Sequence, residues 1–372
     1  MTALPPRIRI SGAPLERGTQ LGRQAGDRIR HSIDVYQRTF AHFTGLAWPE
    51  VRERARAYEP AIADYDPELL EEMTGTAHGA GLDFEDILAI NTRTEVMYGH
   101  SAAALAECTA LAARGAATAG GRVLAAQNWD WLPDAHRSSI LLEVAVPGRP
   151  AFLTFVEAGL AAKMGCNSAG VAMVTNLLLT DRDTGTAGVP FHAILRNILL
   201  AESFTEAKAA ITRAWRASSG NYVIATAGGD MVNIEAQPGS GAVNEIDPVD
   251  DVLIHTNSFC GPLNGARDRA LDSLPDSPGR AVRLRELAEQ ARGRLDVEVL
   301  GTELLGDHAG WPAAICRHPD EHLPQPERLA TVGSIVIDVS ASTAHLCFGS
   351  PCEGSYELVV PSFVKDKQMA PR

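Results

Sequence analysis

The first hundred residues repeat apolar side chains at spacings of three and four, whereas the residues after them show short apolar runs broken by Gly, Pro or Asn. In RQAGDRIRHSIDVYQRTFAHF, Ile29, Ile33, Tyr36 and Phe40 fall on one face of a helix, because 3.6 residues per turn bring those spacings together. A short strand, Arg7 to Ser11, precedes it. WPEVRERARAYEPAIADY predicts a second helix with Pro49 in its first turn. PELLEEMTGTAHGAGL predicts a third, and a fourth starts at Asp83 and runs into INTRTEVMY.

From Cys108 the period changes. CTALAAR and RVLAAQNWDW flank Gly120 and Gly121, and SSILLEVAV, AFLTFVEA and KMGCNSAGVAMVTNLLL follow as strand-like runs between turn residues. Strand after strand at hairpin spacing favours antiparallel sheet over βαβ winding. VPFHAILRNILLAESFTEAKAAITRA is a helical interlude, after which SSGNYVIATAGGDMVNIEAQ predicts a hairpin on its Gly-Gly-Asp turn. VDDVLIHTNSF reads as a strand, SPGRAVRLRELAEQARG as a helix, DVEVLGTELLGD as a short helical stretch, and TVGSIVIDVSASTAHLCFGSP as two strands before a polar terminus. Neither a repeat nor a linker divides the chain, so residues 1–372 are expected to form one α+β domain.

Composition narrows the partner. Of 372 residues, 45% are hydrophobic and 21% charged, with a formal net charge of −13 and no Lys/Arg block. A nucleic-acid partner would need a concentrated basic footprint, so none is expected. The N-terminus lacks a cationic segment followed by an apolar core, and no apolar run approaches about 18 residues. A cytoplasmic protein with a small-molecule substrate and no membrane partner is the expectation.

Six cysteines, at 108, 166, 260, 316, 347 and 352, form no CxxC pair and are expected to be mostly small buried hydrophobes. His308, His318 and His322 cluster in loop-like sequence without ligand spacing, so neither a metal nor a cofactor is expected. A thiol becomes a nucleophile when a base takes its proton, and one intramolecular base is a free α-amine on the same residue. Cys108 is internal. It would gain that amine only if the Glu107–Cys108 peptide bond were cut.

Cys-Thr opening a strand, QNWDW at 127–131 closing the hairpin, NTRTE at 91–95, MGCNSAGV at 164–171 and HTN at 255–257 occur in one order along the chain. Together they are similar to the acyl-CoA:6-aminopenicillanic acid acyltransferase family, the C45 peptidases, within the N-terminal nucleophile hydrolases. The similarity spans nearly the whole chain, from Gly12 and Glu16-Arg-Gly18 to the Ile335–Asp338 strand.

The resemblance implies a four-layer αββα sandwich that cleaves itself between Glu107 and Cys108 by an N-to-S acyl shift and thioester hydrolysis. An α chain of residues 1–107 would then stay with a β chain of 108–372. It also implies Cys108 as nucleophile, Asp130 as the carboxylate steadying the new N-terminus, Asn257 as oxyanion donor, and Arg328 as a functional arginine. Glu107 and Glu327 stand where the penicillin-forming members carry glycine and serine. Each residue also has a plainer role: Cys108 as a packed strand cysteine, Asp130 as a turn cap, Asn257 as a loop amide, Arg328 as a solvent-facing side chain. His255 is expected to be a satisfied strand histidine.

The function expected is a self-processing N-terminal cysteine amidohydrolase acting on a small N-acyl or peptide-like amide. An acyl-CoA-dependent N-acyltransferase is the first alternative. An unprocessed, non-catalytic binding protein is the second.

Overall fold

The computed structural model describes residues 4–100, 107–241 and 243–369. Its strands in chain order are β1 (Arg7–Ser11), β2 (Glu107–Gly115), β3 (Gly121–Trp131), β4 (Ser139–Ala145), β5 (Phe152–Glu157), β6 (Gly165–Asn167), β7 (Val171–Leu177), β8 (Gly220–Thr226), β9 (Met231–Ala236), β10 (Asn244–Ile246), β11 (Val252–His255), β12 (Ala330–Asp338), β13 (Thr343–Cys347) and β14 (Glu357–Val359). They form an eight-stranded sheet, β1-β4-β5-β6-β7-β8-β9-β10, and a six-stranded sheet, β11-β2-β3-β12-β13-β14. Among these strands only the β1–β4 pairing is parallel. The fold class is α+β, as hairpin spacing predicted.

The two sheets face each other because their strands alternate between two cores. Cys108, Ala110 and Ala112 of β2 and Val123, Ala125, Trp129 and Trp131 of β3 share the large core with residues of the eight-stranded sheet such as Met173 and Val223. The intervening Leu111, Ala113, Leu124 and Ala126 pack instead against Leu284, Ala288, Leu300 and Leu304 in an outer helical layer. Helices α1 (Pro14–Thr44), α2 (Trp48–Ala55), α3 (Glu59–Tyr65), α4 (Pro67–Ala80), α5 (Phe84–Asn91), α6 (Arg93–Tyr98), α7 (Phe191–Leu199) and α8 (Phe204–Thr212) belong to the other flank, with α1, α7 and α8 touching the eight-stranded sheet. The sequence of layers is helix, sheet, sheet, helix.

The predicted second helix is two helices separated by a 3-10 turn at Arg56–Tyr58. Pro60 supplies the reason: it lacks an N–H, and its ring clashes with the carbonyl four residues back. The predicted fourth helix divides at Thr92, whose hydroxyl bonds the Leu88 carbonyl in competition with the helical ladder. Strands β10 and β14 and a terminal helix, Ser362–Met369, were not foreseen. All three are short.

Helices α1 and α4 pack with their backbones nearly touching. A Cβ at Gly18 would lie 1.9 Å from the Glu72 carbonyl oxygen, and one at Gly75 would lie 2.2 Å from that of Leu15. Gly75→Ala is therefore expected to cost at least about 1–3 kcal/mol, the usual range for overpacking, because backbone rather than a movable side chain must yield. A denaturant midpoint unchanged by that substitution would refute the close crossing.

Buried ionic groups tie the first hundred residues to the rest. Glu72 on α4 accepts from Arg17 Nε at 2.7 Å and from Arg196 Nη1 and Nη2 on α7 at 2.8 and 2.7 Å. Arg93 on α6 bonds Glu157 on β5 at 3.2 Å, and Glu157 also accepts from Tyr36 Oη at 2.6 Å. Breaking such a buried pair by removing one partner typically costs about 3–5 kcal/mol. The outer helical layer includes α10 (Ser277–Gln290), which reaches the site, while α9 (Ala270–Ser273) packs through Ala270 with Tyr98 and Leu179.

Candidate active site

Cys108 sits at the start of β2 on the inner face and is only 4% exposed. Three side chains hold its backbone: its N–H donates to Asn257 Oδ1 at 2.8 Å, and its carbonyl accepts from Asn176 Nδ2 and Arg280 Nη1, each at 3.0 Å. The Gln127 side chain and the Asp130 backbone act on its sulfur to favour the thiolate. Burial nevertheless pushes the thiol up to about 11, against the pull of the Lys163 charge. At neutral pH the sulfur is protonated, so a base is needed.

Asn257 follows β11 and is fully buried. Its backbone N–H donates to Ser277 Oγ at 2.8 Å, and its Nδ2 donates to the Leu177 carbonyl at 3.0 Å. Ser277 opens α10, so that helix fixes both Asn257 and, one turn on, Arg280. Arg280 Nη2 bonds Asn257 Oδ1 at 3.2 Å, Nη1 also bonds Thr109 Oγ1 at 2.8 Å, and Nε bonds Asp276 at 2.7 Å. The expected nucleophile and the expected amide are thus clamped by one guanidinium. The amide presents its oxygen to the Cys108 N–H.

Asp130 is fully buried on β3, one residue beyond the Trp129 that pairs with Cys108 and directly opposite Glu107. By strand alternation its side chain leaves the sheet on the face away from the thiol. Oδ1 accepts from Thr331 Oγ1 at 2.6 Å, and Oδ2 has no hydrogen-bond partner among the described residues. Burial raises this carboxyl to about 6, opposed by the charges of Arg317 and Arg280. It is ionised at neutral pH. Glu107 is described as backbone only, and residues 101–106 lie outside the described residues.

Arg328 bonds within its own loop. Its Nε and Nη2 donate to the Leu323 and Glu321 carbonyls, at 2.8 and 3.0 Å. With Arg38, Arg137, Leu132 and His136 it lines a surface cavity of about 770 Å³ whose lining does not include Cys108. The charges that act on Asp130 are those of Arg317 and Arg280, and Arg328 has no part in the hydrogen bonds that join Cys108, Asn257 and Arg280. The neighbouring Glu327 meets His42 Nε2 at 3.0 Å.

Lys163 precedes the β6 hairpin, almost fully buried, with Nζ 3.4 Å from the centre of the Trp129 ring and 3.7 Å from Glu157 Oε2. Burial lowers it to about 7, with Arg93 pushing the same way and Glu157 opposing. It is electrostatically coupled to Cys108. His255 behaves as expected: Nε2 meets Glu235 at 2.8 Å and Nδ1 meets the Thr256 carbonyl. The cysteines depart from expectation in part, since Cys260 and Cys352 are exposed.

Arg280, Lys163 and Asn176 were not foreseen. Arg280 carried a signal, because it occupies the first position of the buried stripe Arg280, Leu284, Ala288, where the helical period calls for an apolar residue. Lys163 and Asn176 lie inside strand-like apolar runs and carried only the same weaker hint. Among the described residues, no helix is long and apolar enough to cross a membrane.

A known acyltransferase, the 40 kDa form of acyl-coenzyme A:6-aminopenicillanic-acid-acyltransferase from Emericella nidulans, is 29% identical over 344 residues covering 92% of each chain. Among solved structures, a mutant of conjugated bile acid hydrolase from Clostridium perfringens matches 69% of this chain and 97% of its own at 12% identity and a TM-score of 0.43. Penicillin V acylase from Agrobacterium tumefaciens matches 65% and 83% at 14% identity and a TM-score of 0.39. The model of the acyl-coenzyme A:6-aminopenicillanic acid acyl-transferase family matches residues 117–353. The chain belongs to that family and is an enzyme of the amide hydrolase or acyltransferase class.

Proposed function

We propose that the chain is a self-processing N-terminal cysteine amidohydrolase with Cys108 as nucleophile. The observation that carries this is the buried start of β2, where Asn257, Asn176 and Arg280 hold the Cys108 backbone while Asp130 Oδ2 has no partner among the described residues beside it. In processing, Sγ attacks the Glu107 carbonyl carbon, the C–N bond breaks, and the Cys108 nitrogen leaves as an amine. Water then hydrolyses the thioester, releasing the Glu107 carboxylate and the thiol.

In turnover the new α-amine, which titrates near 7.7–8.0 in model compounds, takes the thiol proton as sulfur attacks the substrate carbonyl. The resulting ammonium is stabilised by the Asp130 carboxylate and then protonates the leaving nitrogen. An amide N–H of Asn257 steadies the oxyanion, a role worth about 3 kcal/mol in other enzymes. Water attacks the acyl-enzyme and regenerates the thiol.

Acyl transfer from a CoA thioester is the second reading, favoured by the 29% identity to an acyl-coenzyme A:6-aminopenicillanic-acid-acyltransferase over 92% of the chain. Incubation with candidate N-acyl amides and thioesters, followed by intact mass, tests both readings. An acyl mass added to the chain that begins at Cys108 supports the nucleophile, and an unmodified chain during turnover refutes it.

Processing needs a base before any amine exists, and the candidate is Lys163, which lies against the ring of Trp129, the strand partner of Cys108, and is electrostatically coupled to the thiol. The neutral amine is the basic form, and it predominates above about 7, so cleavage should accelerate as pH rises through that value and then level off. Lys163→Met is expected to slow cleavage by about 10²-fold, the usual scale of general-base catalysis, and to abolish that pH dependence. An unchanged pH profile in the variant would remove Lys163 from the step.

A further inference from the structure

The ligand atoms of His308, Cys316, His318 and Cys352 all lie within 4.8 Å of one another. Cys316 Sγ is 3.6 Å from Cys352 Sγ, and His318 Nε2 is 3.5 and 3.3 Å from the two sulfurs. A tetrahedral zinc ion with bonds of about 2.3 Å to sulfur and 2.0 Å to nitrogen sets its ligands about 3.8 Å apart for S···S and about 3.5 Å for S···N. A disulfide would instead bring the sulfurs to about 2.05 Å. The spacing of these three atoms is that of metal ligands, and His308 offers a fourth within 4.8 Å of each.

We propose that these four side chains form a Cys2His2 site for one zinc-class divalent cation. Mixed thiolate and imidazole donors in tetrahedral array select zinc over the harder cations that prefer oxygen. Four protein ligands leave no open position, so the ion is structural. Trp311 walls the site, its ring centre 4.1 Å from that of His318 and 5.3 Å from that of His308. Cys347, also nearby in sequence, turns its sulfur to the Ser350 carbonyl and stays outside the set.

The backbone around the ligands is already held. Cys316 N–H donates to the Asp307 carbonyl at 2.9 Å, His318 N–H to that of Pro312 at 3.0 Å, and Arg317 N–H to Thr331 Oγ1 at 2.9 Å. The cation joins this segment to the loop after β13 that carries Cys352. Arg317, between two of the ligands, is the arginine whose charge acts on Asp130, and Thr331 bonds Asp130 directly. Metal binding therefore fixes the surroundings of the catalytic carboxylate from outside the active site. The irregular spacing, with Cys352 far downstream, explains why the sequence pointed to no metal.

The test uses the full chain, purified with a phosphine reductant, stripped with a chelator and reloaded with Zn²⁺ or Co²⁺ alone. Expected are one metal per chain by native mass spectrometry, a cobalt spectrum with thiolate charge-transfer and intense tetrahedral d–d bands, and a thermal midpoint several degrees above that of the stripped protein. Cys352→Ser and His308→Ala, both at exposed positions, should fold by circular dichroism and lose stoichiometric binding. The site is overturned by reduced wild type that takes up no metal, by a weak octahedral cobalt spectrum, or by variants that bind as wild type does. A Cys316–Cys352 disulfide in peptide mapping of protein prepared without reductant, together with no metal uptake after reduction, assigns the pair to redox chemistry instead.

Discussion

Cys108→Ala is expected to remain a single 39.7 kDa chain and to show no turnover. The substitution deletes one buried sulfur, and the hydrogen bonds from Asn257, Asn176 and Arg280 engage the residue's backbone, which alanine retains. Loss of folding is therefore not expected, and circular dichroism should match that of a folded, unprocessed chain. The effect is chemical. Without Sγ neither the N-to-S shift nor the acyl-enzyme can form, and both activities disappear together. Cleavage that persists in this variant places the processing nucleophile elsewhere.

The second large effect is expected at Arg280. Its guanidinium hydrogen-bonds at once to the Cys108 carbonyl, Thr109 Oγ1, Asn257 Oδ1 and Asp276. Arg280→Met leaves the Cys108 carbonyl to Asn176 and the partly exposed Asp276 to Arg317, a change expected to cost about 1.5–3 kcal/mol, the scale of a lost hydrogen bond to a charged group. Processing and turnover should each fall by about 10³-fold, because one substitution loosens both the nucleophile's backbone and the amide beside it. Arg280→Lys should recover stability but little rate, since an ammonium cannot reproduce the planar fork. Thr109→Val, which removes only the peripheral bond, should stay within tenfold of wild type. A Lys variant with full activity would show that charge suffices and that the clamp has no part in catalysis.

Much of the fold was legible because its signals are local. The apolar period of α1, the hairpin turn at Gly120 and Gly121 and the alternation along β2 and β3 each follow from a few neighbouring residues. Strands β10 and β14, three residues each, exist only through pairing with β9 and β13 and so left no local trace. Within the site, Cys108 and Asn257 are brought together across the β11–β2 pair, and Asp130 stands on the neighbouring strand on the opposite face. The resemblance gave Arg328 an unspecified functional role; its guanidinium bonds its own loop's carbonyls, and the charges acting on Asp130 are those of Arg317 and Arg280. Those two arginines come from a helix and a loop outside the hairpin. Only the packing of the outer layer onto the six-stranded sheet makes them neighbours.

The association of the two proposed chains rests on the same kind of long-range contact. Glu72 and Arg196, Tyr36 and Glu157, and Tyr65 Oη with the Ala210 carbonyl all link residues before Cys108 to residues after it. The fragments should co-purify and part only in denaturant.

The most direct measurement is intact mass and N-terminal sequencing of an active preparation of the natural chain. Two species of roughly 11 and 28 kDa, the larger beginning Cys-Thr-Ala-Leu, are what an N-terminal nucleophile requires. A single 39.7 kDa species with full activity would contradict it.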